Sequence, residues 1–209
     1  MTRIERVRPR GGARSSGRRS AVVVDGGPPR AIRDGEEAAP SFAENAALDV
    51  RTRFRSAMRL IASTVALVTA SHEEKRGGMT ATAACSLSLD PPLVLVCINR
   101  RSHTHPLVRD AGGFCVNYLA EHHRELADVF ACTFGDTESK FALGKWGTSP
   151  RGSPALLDSL ASVECRLHHQ HDEGTHSIFI GAVVHATANA ELAPLIYAQK
   201  AFGRLVQDV

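Results

Sequence analysis

The chain has 209 residues, 43% hydrophobic and 22% charged, with a formal net charge of +3 at pH 7. Those totals suit a single globular domain with a substantial core, and no run approaches the roughly twenty apolar residues of a membrane helix or the apolar stretch of a secretory signal, so a cytoplasmic protein is expected. The excess positive charge is local: the first twenty residues hold seven Arg against one Glu, and the remainder is close to neutral.

Residues 1–48 include RPRGGARSSGRRS and DGGPPRAIRDGEEAAPS, rich in Gly, Pro, Arg and Ser. They carry too little periodic apolar content to offset the entropy of ordering. The stretch is therefore read as a disordered extension ahead of one domain over residues 49–209. A nucleic-acid-binding arm is the other reading of so many arginines, but a short Arg/Gly/Ser stretch without interleaved aromatics is a weak signal. A small basic β-barrel that binds nucleic acid ranks last, because aromatics make up only 5% of the chain, too few for a base-stacking surface.

From Arg51 onward, Phe54, Met58 and Ile61 recur at helical spacing with Arg on the other faces, which predicts an amphipathic helix leading into the domain. TVALVTA (64–70) is a strand candidate, SHEEKRGG a polar turn, MTATAACSL the returning strand and LVLVCIN (93–99) a third strand. GFCVNYLA (113–120) predicts a fourth, and in the following EHHRELADVFA the side chains of Leu126, Val129 and Phe130 form one apolar helical face. ASVECRLHHQ and HSIFIGAVVHATA then flank the glycine turn HDEGT. About six strands with few helices between them and no βαβ order predict a mainly β fold, an antiparallel barrel.

The five cysteines, Cys85, Cys97, Cys115, Cys132 and Cys165, are odd in number and widely spaced. Neither a disulfide framework nor a CxxC metal site fits them, and buried reduced thiols in a reducing compartment are expected. His168, His169, His171 and His176 crowd into HHQHDEGTH. Without an HExxH or a cysteine partner the first three read as a solvated hairpin tip, and no metal is expected. GxGxxG after a strand, a P-loop and GxSxG are all absent from the sequence, which removes support for a Rossmann fold, phosphotransfer or a serine hydrolase.

The stretch GGMTATAACSLSLDPPLVLVCINRRSHTH (77–105) carries more polar chemistry at its ends than a buried strand needs. Thr80 and Thr82 share one strand face and Ala81 and Ala83 the other. This suits either a half-exposed strand or a surface of small residues on which a planar ligand can approach the backbone. At the far end, Asn99, Arg100, Arg101, Ser102, His103 and Thr104 follow the apolar run directly. The grouping could hold a phosphate through charge-assisted hydrogen bonds, or could be a solvated loop with Ser102 or Thr104 capping a short helix over HPLVRD.

Taken together with GGFCVNYLAEHHRELADVFA, KFALGKWG, ALLDSLASVECRL, GTHSIFIGAVV and PLIY, this stretch resembles, in order and spacing from about Phe54 to Leu205, the short-chain flavin reductases. These are the NAD(P)H-dependent partners of two-component flavin monooxygenases. The resemblance implies a six-stranded FMN-binding split barrel, usually a homodimer, that reduces free FMN or FAD with NADH or NADPH and supplies a partner oxygenase. A split barrel that holds its flavin tightly, as a carrier or self-contained oxidase, is the alternative. By position, Thr80, Ala81 and Thr82 would border the isoalloxazine with Ser86 and Ser88 near it. Ile98, Asn99 and Arg100 would run beside the ribityl chain, Ser102, His103 and Thr104 would take the phosphate, and Lys140 and Phe141 would lie at the groove rim. His176 and Tyr197 would meet the nicotinamide nucleotide, and His176 is the one candidate for a catalytic role. The family often has Asp before that histidine and Glu in the following GEV, where Thr175 and Ala182 stand here. The nicotinamide side is where these departures bear.

Overall fold

A computed structural model describes residues 20–24, 49–132 and 137–207 of the chain. Its strands are β1 (Ser20–Val24), β2 (Ser63–Thr64), β3 (Ala66–His72), β4 (Lys75–Ala81), β5 (Ala84–Leu89), β6 (Pro92–Asn99), β7 (Gly113–Tyr118), β8 (Trp146–Thr148), β9 (Pro154–Leu156), β10 (Ala161–Glu173), β11 (His176–Ala188), β12 (Leu195–Ala198) and β13 (Ala201–Gln207). Three α-helices, α1 (Val50–Met58), α2 (Thr104–Ala111) and α3 (Arg124–Ala131), lie among them.

Seven strands form one sheet in the order β4-β3-β7-β10-β11-β6-β5, and every pairing in it is antiparallel. β4 and β5 are consecutive in the chain yet occupy opposite edges, joined only by Thr82 and Ala83. Three Cα steps reach about 10 Å, whereas seven strands laid flat at a spacing of about 4.8 Å would hold their outer edges nearly 30 Å apart. The sheet must therefore curl until its edges almost meet. Its unpaired seam between β4 and β5 makes it a split barrel.

β3 shows why its apolar run is continuous rather than alternating. Ala66, Val68 and Ala70 face the barrel core with Val94, Val96, Ile98, Phe114, Val116 and Phe179. Val65, just before β3, and Leu67 face a second core with Leu119, Leu126, Phe130, Phe141, Leu156 and Leu195. Successive strand side chains point to opposite faces, so this strand, buried on both sides, is apolar from Val65 to Ala70 except at Thr69, whose buried hydroxyl donates to Pro154 O at 2.6 Å. The helical face read from Leu126 and Phe130 lies in this second core, with Val129 partly buried against it. Asn117, fully buried, links the strands with its amide. Its Oδ1 accepts from Leu156 N at 2.8 Å and Ser162 Oγ at 2.7 Å, and its Nδ2 donates to Thr69 Oγ1 at 3.0 Å.

The sequence reading and the structure differ at several points. MTATAACSL is not one returning strand, because Thr82 and Ala83 break it into β4 and β5. The predicted amphipathic helix is present as α1, capped by Asp49 Oδ1 accepting from Arg51 N at 2.9 Å, but none of its residues is buried; Phe54, Met58 and Ile61 are exposed. Within the segment read as unstructured, Ser20–Val24 pairs with β13, Ser20 opposite Gln207 through Val24 opposite Gly203. The rest of that segment lies outside the described residues. Of the five cysteines, all unpaired, Cys115 and Cys165 are buried, with thiols pushed up to about 12 chiefly by burial, while Cys85 and Cys132 are exposed.

Gly181 on β11 marks the tightest approach inside the barrel. A Cβ there would sit 2.7 Å from Phe114 Cζ and 3.0 Å from Cys165 Sγ. Gly181→Ala is therefore expected to destabilise the domain by about 1–3 kcal/mol, the usual cost of overpacking. A urea titration should show a lower midpoint at unchanged slope; an unchanged midpoint would contradict the packing described.

Candidate functional site

The end of β6 and the β10–β11 hairpin meet at one corner of the barrel. His176 is paired in register with Asn99, and Arg100 N donates to Thr175 O at 3.0 Å. The loop that follows folds on itself. Asn99 Oδ1 accepts from Arg101 N at 2.9 Å, Asn99 O accepts from Ser102 N at 2.9 Å, and Ser102 Oγ accepts from Thr104 N at 3.1 Å. Ser102 Oγ also lies 3.4 Å from Met79 Sδ on β4, so the loop touches the strand that carries Thr80. Arg100, Arg101 and His103 are exposed, and α2 starts at Thr104. Cations, a hydroxyl and a helix N-terminus thus converge at one corner, an arrangement suited to an anion.

Thr80 and Thr82 lie together, as strand alternation requires, and line a cavity of about 340 Å³ with Tyr197, Phe202, Arg124 and Asp128. The Thr80 hydroxyl donates to Ala127 O at 2.7 Å, which ties β4 to α3. Tyr197 stacks edge-on against Phe202 at 5.3 Å, and Arg124 lies over the Phe202 ring at 5.7 Å. Ser86 is exposed and Ser88 half-buried on β5 at the seam. The cavity is within the usual size range of small-molecule sites. It has one aromatic wall and one wall of threonines.

The structure does not turn every sequence candidate outward. Ala81, Ile98 and Thr104 are buried, at 7%, 0% and 1% exposure, so the first two can offer a ligand only backbone groups. Phe141 sits in an aromatic cluster with Phe130 and Trp146, its ring covered by the Arg76 guanidinium at 4.4 Å. Lys140 donates to Cys132 O. His103 faces a separate groove of about 790 Å³ shared with His72, Lys75, Arg76, Leu107 and Glu138. His176 is exposed, with Nδ1 2.9 Å from Thr175 Oγ1.

Two histidine sites were not legible in the sequence. His105, on α2, is buried with Nε2 2.7 Å from Ser177 Oγ. His122, His123 and Asp158 come within 4.8 Å of one another by their ligand atoms, the one group of metal-ligand type among the described residues. Its hydrogen bonds argue for a capped turn. Ala120 N donates to His123 Nδ1 at 3.2 Å, so the neutral ring carries its proton on Nε2, which lies 3.2 Å from Asp158 Oδ1. A metal would need that nitrogen bare. Only the contact across 35 residues to Asp158 distinguishes His123 from a surface histidine, and sequence spacing carries no such signal.

The family model described as flavin reductase like domain matches residues 58–205. The FMN reductase (NADH) RutF of Agrobacterium fabrum is 39% identical over 165 residues, covering 75% of this chain and 93% of that protein. BorF, the flavin reductase component of a bacterial two-component tryptophan halogenase, superposes with a TM-score of 0.69 at 31% identity, covering 77% of this chain and all of that one. The NADH:FAD oxidoreductase SgcE6 of Streptomyces globisporus, solved with NAD and FAD fragments, superposes with a TM-score of 0.68 at 28% identity over 73% of this chain and 91% of that one.

Burial pushes the imidazoles of His123 and His105 below the usual histidine value, with the neighbouring His122 adding to the effect at His123 and Asp158 opposing it. A folded value below the unfolded one means that the unfolded chain takes the proton more readily. The contribution to stability is therefore complete above the unfolded value of about 6.5 and is lost as pH falls below it. Urea unfolding between pH 7.5 and 5 should show stability declining toward acid, and His123→Gln should flatten that decline; an unchanged slope would remove His123 from the account.

Proposed function

Because the chain belongs to the flavin reductase-like domain family, we propose that it reduces FMN or FAD with NADH or NADPH and delivers the reduced flavin to a partner oxygenase. The observation that carries this is the family match over residues 58–205, supported by the cationic Arg100–Thr104 loop, whose Ser102 touches Met79 on β4. The relative from Agrobacterium is named for FMN and NADH, which favours those two over FAD and NADPH. BorF and its halogenase support a partner enzyme that uses the reduced flavin.

The residues fit the flavin. Exposed Arg100 and Arg101, the imidazole of His103 and the start of α2 supply donors to a phosphate. The threonine and tyrosine walls of the 340 Å³ cavity give a planar ring two surfaces. When bound, the flavin accepts a hydride from the nicotinamide, and the chemistry is the cofactor's own. This chain's part is to orient both rings, and no side chain need act as acid or base on the hydride. Thr80, Ala81 and Thr82, with Ser86 and Ser88, border the ring in this reading. Asn99 flanks the ribityl chain, with Ile98 contributing backbone alone, and Arg100 stands where that chain meets the phosphate.

We also infer a homodimer. Val50, Phe54, Met58, Leu60 and Ile61 around α1, and Leu87 and Leu89 on β5, are all exposed on one chain, Leu89 at 88%. So much apolar surface favours burial against a partner, and α1 and the β5 seam suit a second copy. No helix among the described residues is long and apolar enough to cross a membrane, and unpaired cysteines agree with the reducing cytoplasm.

NAD(P)H oxidation, followed with FMN, FAD and each nucleotide in turn, should rise with added free flavin and be fastest with FMN and NADH. A rate independent of added flavin would favour a tightly held cofactor instead. His176→Ala is expected to raise the KM for NADH or slow reduction of loaded flavin, leaving flavin affinity unchanged. Stopped-flow traces at several NADH concentrations check this, and unaltered traces would leave Tyr197 as the candidate on the nucleotide side.

A further inference from the structure

A hydrogen-bond chain runs from the buried His105 out to the half-exposed Asp172, whose carboxylate faces the guanidinium of Arg100. His105 Nε2 lies 2.7 Å from Ser177 Oγ, and the Ser177 hydroxyl donates to Asp172 Oδ1 at 2.6 Å. Asp172 and Ser177 are register partners across the β10–β11 hairpin. Asp172 Oδ1 also accepts from Gln170 Nε2 at 2.9 Å, and its Oδ2 faces Arg100 Nη1 at 3.9 Å. Arg100 is held from the same hairpin at two further points, Nη2 to Gly174 O at 2.7 Å and its backbone N to Thr175 O at 3.0 Å.

The direction of the chain follows from what each group can donate. The bonds from Ser177 and Gln170 hold the Asp172 carboxyl below its usual range, so it is ionised and only accepts. The single hydroxyl proton of Ser177 therefore points to Asp172, and the serine oxygen must accept from His105. Burial keeps His105 below the usual histidine value, hence neutral near pH 7, with its one N–H on Nε2. The ring is fixed by an edge contact with Phe179 at 5.1 Å and is 8% exposed, and Ser177 is 0% exposed. Arg100 is half-exposed. A guanidinium has five N–H groups, so donors remain for an anion beside the 100–104 loop.

We propose that His105 is a positioning residue, which acts through Ser177 and Asp172 to aim Arg100 at the phosphate of the flavin. This rests on the proposed flavin reductase function and adds to it the residues that set discrimination between a phosphorylated flavin and one without phosphate. None of the three is in the loop itself. Their effect is exerted through Arg100 alone.

The test measures binding of FMN and riboflavin, by quenching of flavin fluorescence without nicotinamide nucleotide, for the full chain and for His105→Leu, His105→Gln, Asp172→Asn and Arg100→Ala. His105→Leu and Asp172→Asn should weaken FMN on the order of tenfold, the scale of one hydrogen bond to a charged group, and leave riboflavin within about twofold. His105→Gln, which keeps an N–H donor, should restore most of the FMN affinity. In an Arg100→Ala background, His105→Leu should change FMN binding no further. Asp172 is half-exposed, so its variant carries the test should His105→Leu not fold. Equal losses for FMN and riboflavin, no loss, or full additivity with Arg100→Ala would each overturn the proposal. So would a loss seen only in the KM for NADH, which would assign Arg100 to the nucleotide's phosphate. A wild-type chain that binds neither flavin would sink the function reading itself, a result distinct from all of these.

Discussion

Everything about the candidate site depends on the shortness of one connection. Thr82 and Ala83 alone bridge the two edges of a seven-stranded sheet, and a chain segment that short cannot span a flat sheet of that width. The curl it imposes encloses Val68, Val96, Ile98, Phe114 and Phe179 as one core. It also leaves a seam without backbone pairing beside Thr80 and Thr82. Thr80 and Thr82 line a cavity against α3 and the β12–β13 strands, and on the opposite face of β4 Met79 meets Ser102 of the loop at the end of β6.

Direct pairing of β11 with β6 brings the β10–β11 hairpin beside that loop. Thirteen residues in each strand carry the hairpin to the corner where His176 pairs with Asn99. Charge is then arranged in graded burial, with His105 and Ser177 inside and Asp172 and Arg100 half-exposed. A buried, fully bonded base orients more rigidly than an exposed one. Exposed cations remain available to a ligand that comes and goes. For the proposed function, in which the reduced flavin is released, a loop with a firm foundation and a solvated surface suits both needs.

Histidines illustrate how far context outweighs residue type. His168, His169 and His171 stand in the most conspicuous cluster of the sequence, yet all three are exposed near the hairpin tip. The rings of His168 and His169 lie 4.3 Å apart at an irregularity in β10. His105 and His123, unremarkable in sequence, are buried, hydrogen-bonded and depressed in pKa. The difference lies in partners 72 and 35 residues away.

The sequence by itself determined the local elements and the chemistry of the loop. Apolar runs at strand period, the helical face of Leu126 and Phe130, and the polar cluster of 99–104 are one-dimensional signals, and six spaced blocks sufficed to mark the family. Only the tertiary structure decided which candidates face outward. Phe141 and Thr104 carry chemistry that suits a site but are buried, as is Ile98, and α1 is amphipathic without a buried face. The break at Thr82 was hidden because MTATAACSL has strand propensity throughout, whereas the turn there answers to sheet closure. The chain from His105 through Ser177 and Asp172 to Arg100 was hidden for the same reason. Burial and long-range hydrogen bonds depend on which strands become neighbours, and that is a property of the whole curled sheet rather than of any segment within it.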